Sequence, residues 1–208
     1  MRRSIITWHY WTGLLLAVFI LTHLVNHLAA LGGVPAHLAV MNLLRLIYRN
    51  RVIEPLLLLA VVTQVFTGIR LFRQARTQPA QGVAWRVQLF SGLYLAFFLL
   101  VHTGAVLTGR LWFKLDTNLY FGAAGMNTFP FSLFFIPYYF LAVMAVFLHI
   151  ASIHYRKARV SFGSRAARRQ AVGIGAIGVV TAGLILYALT NQFHGLAIPP
   201  VYLKALGR

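Results

Sequence analysis

Chemistry in this 208-residue chain must rest on histidine. There are eight histidines beside no cysteine and two carboxylates, Glu54 and Asp116. The lack of cysteine excludes thiolate zinc sites and iron–sulfur clusters on this chain, and so few acids argue against a paired-carboxylate glycosidase. Two histidines are placed by an internal repeat. Thr12-Gly-Leu-Leu-Leu-Ala-Val-Phe-Ile-Leu-Thr-His23 aligns with Ser91-Gly-Leu-Tyr-Leu-Ala-Phe-Phe-Leu-Leu-Val-His102, identical at seven of twelve positions. Eleven residues turn a helix by nearly a whole number of turns, so hydroxyl and imidazole share one face roughly 16 Å apart. A second pair extends the pattern: Gln64-Val-Phe-Thr-Gly-Ile-Arg70 runs parallel to His149-Ile-Ala-Ser-Ile-His-Tyr155. Equivalent imidazoles on two copies of one unit can ligate a single metal centre from opposite sides, provided that they lie at one depth.

The elements that set depth are apolar. The chain is 60% hydrophobic and 10% charged, with mean hydropathy +0.75. A soluble domain carries about 25% charged residues, so a water-soluble globule is excluded. Five stretches can cross a hydrocarbon core of about 30 Å as helices: Ile5–Leu31, Pro55–Phe72, Val87–Gly109, Phe129–Ile153 and Ala171–Leu189. Unpaired backbone groups are not tolerated in lipid and no barrel-type alternation is present, so the expected fold is all-α. It is an integral membrane bundle of five transmembrane helices in a single domain, residues 1–208, built as two repeated helix hairpins plus a fifth helix. The fifth, with Gly173, Gly175, Ala176 and Gly178, is read as ordinary close packing.

The net charge of +17 comes from 19 Lys and Arg lying in short gaps between apolar runs, which does not suit nucleic acid. With the N-terminus in the cytoplasm, twelve cations fall inside and seven outside, the orientation that the positive-inside rule favours. Six of the inner ones, Arg156, Lys157, Arg159, Arg165, Arg168 and Arg169, form one acid-free loop that suits anionic lipid. The outer segment Ala36–Asn50 has Leu38, Met41, Leu44 and Ile47 at helical spacing and is expected to lie in the interface.

In that frame His23 and His102 both fall in the outer halves of upward spans, and His149 and Gln64 in the inner halves of downward ones. Two imidazoles at equal depth about a two-fold axis suit a planar iron macrocycle, and a bis-histidine haem b, with His23 and His102 as iron ligands, is the expected occupant. The inner site breaks the pattern, because His149 has Gln64 opposite and an amide carbonyl is a poor ligand to haem iron. A second haem there is absent, held from one side only, or held by another residue; loss of it is the preferred expectation. His27 reads as an interfacial histidine or a propionate neighbour, and His37 and His194 receive no role. Arg110, Lys114, Arg45 and Arg49 are candidates for propionate partners and equally for topology signals. A quinone pocket near the inner surface needs hydrogen-bond donors, for which Trp8, His9, Thr12 and Arg70 are candidates, with His9 and Thr12 favoured.

These segments resemble the cytochrome b membrane-anchor subunit of succinate dehydrogenases and fumarate reductases. His9-Tyr10-Trp11-Thr12-Gly13 resembles that family's His-Arg-x-[Ser/Thr]-Gly, and Thr22-His23-Leu24-Val25-Asn26-His27 its first haem-ligand stretch. Gln64-Val-Phe-Thr-Gly-Ile-Arg70 resembles its His-x3-Gly-Ile-Arg with the ligand replaced, and His102 and His149 match ligands of the single-chain, five-helix, two-haem type. The resemblance covers about 150 residues. Two departures stand out, Tyr10 in place of an arginine and Gln64 in place of a ligand, and they revise the number of haems. The resemblance implies a bacterial cytoplasmic-membrane subunit of an oxidoreductase, anchoring a flavoprotein and an iron–sulfur subunit on the cytoplasmic face. It implies electron relay between succinate or fumarate chemistry on those partners and a membrane quinone. Other expectations are a different membrane cytochrome b, of the b561, hydrogenase or formate dehydrogenase type, or a haem-free structural subunit. A transporter is disfavoured, since no span joins a broken helix to an intramembrane acid.

Overall fold

The computed structural model describes residues 2–79 and 81–208; Met1, Ala80 and the side chain of Arg2, one of the inner cations above, lie outside it. The described chain is all-helical. Helices α1 (Arg2–Ala29), α2 (Val34–Tyr48), α3 (Ile53–Arg76) and α4 (Val83–Leu111) are followed by a short α5 (Leu119–Ala123), a long α6 (Ser132–Leu189) and a terminal α7 (Pro200–Lys204). Four of them, α1, α3, α4 and α6, are long and apolar enough to cross a membrane. Large apolar side chains such as Val18, Leu21, Phe66, Leu100 and Leu133 are more than half exposed on their outer surfaces. Such a surface belongs in lipid rather than in water.

The expected fourth and fifth spans lie within one helical stretch. A straight helix of the 58 residues of α6 would measure about 87 Å, far more than a bilayer. It is interrupted at Gly163, whose φ of 77° and ψ of 158° are non-helical and open to glycine at little cost. The chain folds back there. His154 Nε2 lies 2.9 Å from Gln170 Oε1, and a Cβ on Gly178 would meet that of Phe147 at 2.6 Å. Residues paired about position 162 are therefore antiparallel neighbours, and Gly178 is where the backbone of the second half approaches the first. A Cβ on Gly173 would meet nothing within 4 Å, so the small-residue run matters at one position only.

Two features lie outside what periodicity indicates. The connection 112–131 is not a surface loop: Leu119, Ala123 and Met126 are buried with Ala30, Val143, Ala182, Ile185 and Leu189 in the main apolar core. Asn127 ties it down, donating from Nδ2 to the carbonyls of Ala123 and Leu189 at 2.9 and 3.0 Å and accepting from Leu196 N at 2.8 Å. Helix α2 exists as expected, yet its face toward α1 buries His37 as well as Met41, while Leu43, Leu46 and Ile47 remain exposed.

Candidate functional site

The two repeat histidines meet. His23 on α1 and His102 on α4 have ring centroids 6.1 Å apart, with planes inclined by 67°. Each is backed by a phenylalanine one turn earlier on its own helix: Phe19 stacks on His23 at 5.6 Å and Phe98 on His102 at 5.0 Å. Phe19 and Phe98 occupy equivalent positions of the aligned segments, so both imidazoles are oriented by the same local device. A metal with a nitrogen about 2 Å away on either side would hold two imidazole centroids about 6 Å apart, the separation found here, although His23 Nε2 itself faces His27 Nε2. Two imidazoles so held, without a thiolate or carboxylate between them, are a donor set that fits the axial positions of a haem iron. Among the described residues no three of His, Cys, Asp and Glu form a group that would hold a bare metal ion.

Neighbouring side chains complete this end of the bundle. His27 Nε2 lies 3.1 Å from His23 Nε2, and Asn26 Nδ2 lies 3.3 Å from Nε2 of the buried His37. Burial, aided by the proximity of His23 and Arg45, pushes the His37 imidazole down to about 4, so it is neutral at pH 7. Of the cations considered for propionates, Arg45 donates to Asp116 at 2.7 Å and Arg49 lies 3.8 Å from the same carboxylate. Arg110 is paired with Glu54. Both acids of the chain are thus spent on cations here, and among the described residues no ion pair or side-chain hydrogen bond engages Lys114.

The opposite end holds Gln64 and His149, each against the helix that precedes it. Thr12 Oγ1 donates to Gln64 Oε1 at 2.7 Å, and Ser91 Oγ lies 3.2 Å from His149 Nδ1. A Cβ on Gly13 would meet Gln64 Nε2 at 3.1 Å and one on Gly92 would meet His149 Cε1 at 3.1 Å. The α1–α3 and α4–α6 pairs are therefore packed through equivalent residues. Their chemistry differs. Gln64 Nε2 faces His9 Nε2 at 3.3 Å, and His9 Nδ1 faces Thr67 Oγ1 at 2.9 Å, which in turn donates to Thr63 O at 2.6 Å. Read as Thr12 to Gln64 to His9 to Thr67 to Thr63 carbonyl, every donor has an acceptor. His149 instead offers its Nδ1 hydrogen to the Gln88 carbonyl at 3.1 Å, the tautomer that leaves the Nε2 lone pair for a ligand.

Of the four quinone candidates, His9 and Thr12 come together in this chain of hydrogen bonds. The Trp8 side chain is 62% exposed and only its carbonyl joins the chain of hydrogen bonds, accepting from Thr12 Oγ1 at 2.8 Å, while no hydrogen bond joins Arg70 to His9 or Thr12. Tyr10 lies under Lys157 Nζ, which is 5.7 Å from its ring centroid. A cleft of about 440 Å³ opens between α4 and α6, lined by Arg86, Phe90, Ser91, Tyr94, Met144 and Leu148 among others. Single-chain periodicity could not have located it, because its walls come from two helices. No family model matches the chain, and neither a curated protein nor a solved structure matches it.

Proposed function

We propose that the chain is the haem b-containing membrane anchor of a succinate:quinone oxidoreductase or quinol:fumarate reductase, relaying electrons between a cytoplasmic iron–sulfur subunit and membrane quinone. The observation that carries this reading is the His23–His102 pair at 6.1 Å, backed by Phe19 and Phe98 at equivalent positions. In this reading α6 supplies two crossings that meet at Gly163, giving five spans with the N-terminus in the cytoplasm of a bacterium. The equivalent Thr12–Gln64 and Ser91–His149 contacts support a repeated hairpin.

A haem bound between His23 and His102 would supply a one-electron store within the bilayer. The chain's own groups would hold it: the His23 and His102 imidazoles as nitrogen donors to the iron, Phe19 and Phe98 stacked against their rings, and apolar side chains around them. One haem rather than two is favoured, because Gln64 has both amide ends engaged by Thr12 and His9. In this proposal a quinone beside His9 and Thr12 would have to take over one of their present partners, Gln64 or Thr67, and dicarboxylate chemistry is left to the partner flavoprotein.

The test is a dithionite-reduced minus oxidised spectrum with pyridine haemochrome stoichiometry on the purified chain. One haem per chain is expected, lost in His23→Leu or His102→Leu and retained in His194→Leu. Absence of haem from the wild-type chain would leave the structural-subunit reading.

A further inference from the structure

Three buried side-chain atoms without a hydrogen-bond partner lie on neighbouring residues beside the His23–His102 pair: Asn26 Oδ1, His27 Nδ1 and His37 Nδ1. Elsewhere among the described residues only Gln74 Oε1 and Tyr138 Oη share that condition, each on its own. Asn26 and His37 are 4% and 2% exposed. The His27 and His37 rings lie 5.6 Å apart, and the His27 ring lies 4.5 Å from His23. Unpaired buried polar groups are costly and rare in native proteins, so a cluster of three calls for an occupant.

The donor logic narrows its chemistry. If Asn26 Nδ2 donates to His37 Nε2, the neutral imidazole carries its hydrogen on Nδ1, an N–H with nothing to meet. If the amide is turned round, His37 Nε2 donates to the Asn26 oxygen, and the amide hydrogens are left free instead. Either assignment leaves a buried N–H. His27 adds another polar nitrogen, and ligation at His23 Nε2 would free its Nε2 as well. In either assignment the Asn26–His37 pair also keeps one bare acceptor, Asn26 Oδ1 or His37 Nδ1; with no carboxylate among the cluster's members, the acceptor that meets its unpaired N–H must come from outside it. Of the cations that might have served, Arg45 and Arg49 lie against Asp116 and Arg110 is held by Glu54, which leaves Lys114 alone without an acid.

We propose that Asn26, His27 and His37 form a hydrogen-bonding cradle for the propionate carboxylates of a haem ligated by His23 and His102. The assignment rests on the haem reading above and gives His37 a reason to be buried on α2. Helix α2 would then be a positioning element, closing over the carboxylate edge of the macrocycle, rather than a helix resting passively in the interface.

The test uses the purified full-length chain as wild type, His37→Phe, Asn26→Leu and the donor-retaining His37→Gln. Apoprotein of each is titrated with haem b and with its dimethyl ester, which lacks the carboxylate charges, and the midpoint potential of each haem b complex is measured. Wild type and His37→Gln are expected to prefer haem b over the diester by about tenfold. His37→Phe and Asn26→Leu are expected to lose most of that preference, and to show a lower midpoint potential because unpaired propionates favour ferric iron. Asn26→Leu carries the same comparison should His37→Phe not fold. Haem-binding variants with the wild-type preference and potential would overturn the cradle and leave the site to ordered water. A wild-type chain that binds neither porphyrin would overturn the haem reading itself, a different outcome from the loss of discrimination alone.

Discussion

Replacing Gln64 by leucine removes an amide that bridges α1 and α3 while keeping its volume. The amide accepts from Thr12 Oγ1 at 2.7 Å and meets His9 Nε2 at 3.3 Å, near the limit for a hydrogen bond. Interhelical hydrogen bonds in membrane bundles average about 0.6 kcal/mol and reach about 1.7. Two of them, one short and one long, predict a loss of about 1–2 kcal/mol. The Thr12 hydroxyl hydrogen is shared with the Trp8 carbonyl at 2.8 Å, so Thr12 is not stranded when Gln64 is lost. The Thr12–Gln64 coupling energy should therefore fall in the lower part of the range, about 0.5–1 kcal/mol. The assay is a double-mutant cycle of Thr12→Val and Gln64→Leu, followed by unfolding in mixed micelles of increasing denaturing detergent. Haem content is measured on the same samples and should be unchanged in Gln64→Leu. A coupling indistinguishable from zero would refute the claim that this amide is held within its helix pair. Loss of haem in Gln64→Leu would refute it differently, by making Gln64 part of a haem site.

Gly178→Leu should destabilise the chain by about 1–3 kcal/mol through overpacking against Phe147, whereas Gly173→Ala, whose Cβ meets nothing, should be neutral or slightly stabilising; thermal unfolding in detergent compares the two. Acidification should destabilise the α1–α2 junction of the haem-free chain. His37 has its folded value lowered to about 4 from an ordinary 6.5, so the unfolded chain binds the extra proton between these limits. The contribution is complete above pH 6.5 and is lost as pH falls toward 4, by about 2 kcal/mol at pH 5. His27, His23, Asn26 and Arg45 surround this imidazole, and a His37→Phe chain should show a flatter pH dependence of its melting temperature than wild type. Because the sequence contains no cysteine, single cysteines at Arg165 and Lys204 should be labelled by a membrane-impermeant maleimide from opposite sides of oriented vesicles. Labelling of both from one side would refute five crossings.

Helical spans are legible in this chain because lipid leaves the backbone few alternatives, and the His23–His102 pair is legible because an eleven-residue interval on a helix fixes one face. Phe19 and Phe98 were visible in the same alignment, though not their stacking role. Nothing local marks His37 for burial, and its hydrogen-bond partner Asn26 lies eleven residues earlier on another helix. The buried segment 119–126 is illegible in the sequence for a related reason. Its apolar residues are too few for a span, and only contact with α1 and α6 shows that they complete a core.

By itself the sequence determined a membrane-type all-helical chain and the register of its two equivalent imidazoles, since hydrophobicity and helical pitch are local and additive. The tertiary structure alone decided that those imidazoles stand 6.1 Å apart, that Gln64 is consumed by His9 and Thr12, and that three polar atoms beside His23 lack partners. Such facts depend on how neighbouring helices rotate and pack against one another, and no single helix carries that information.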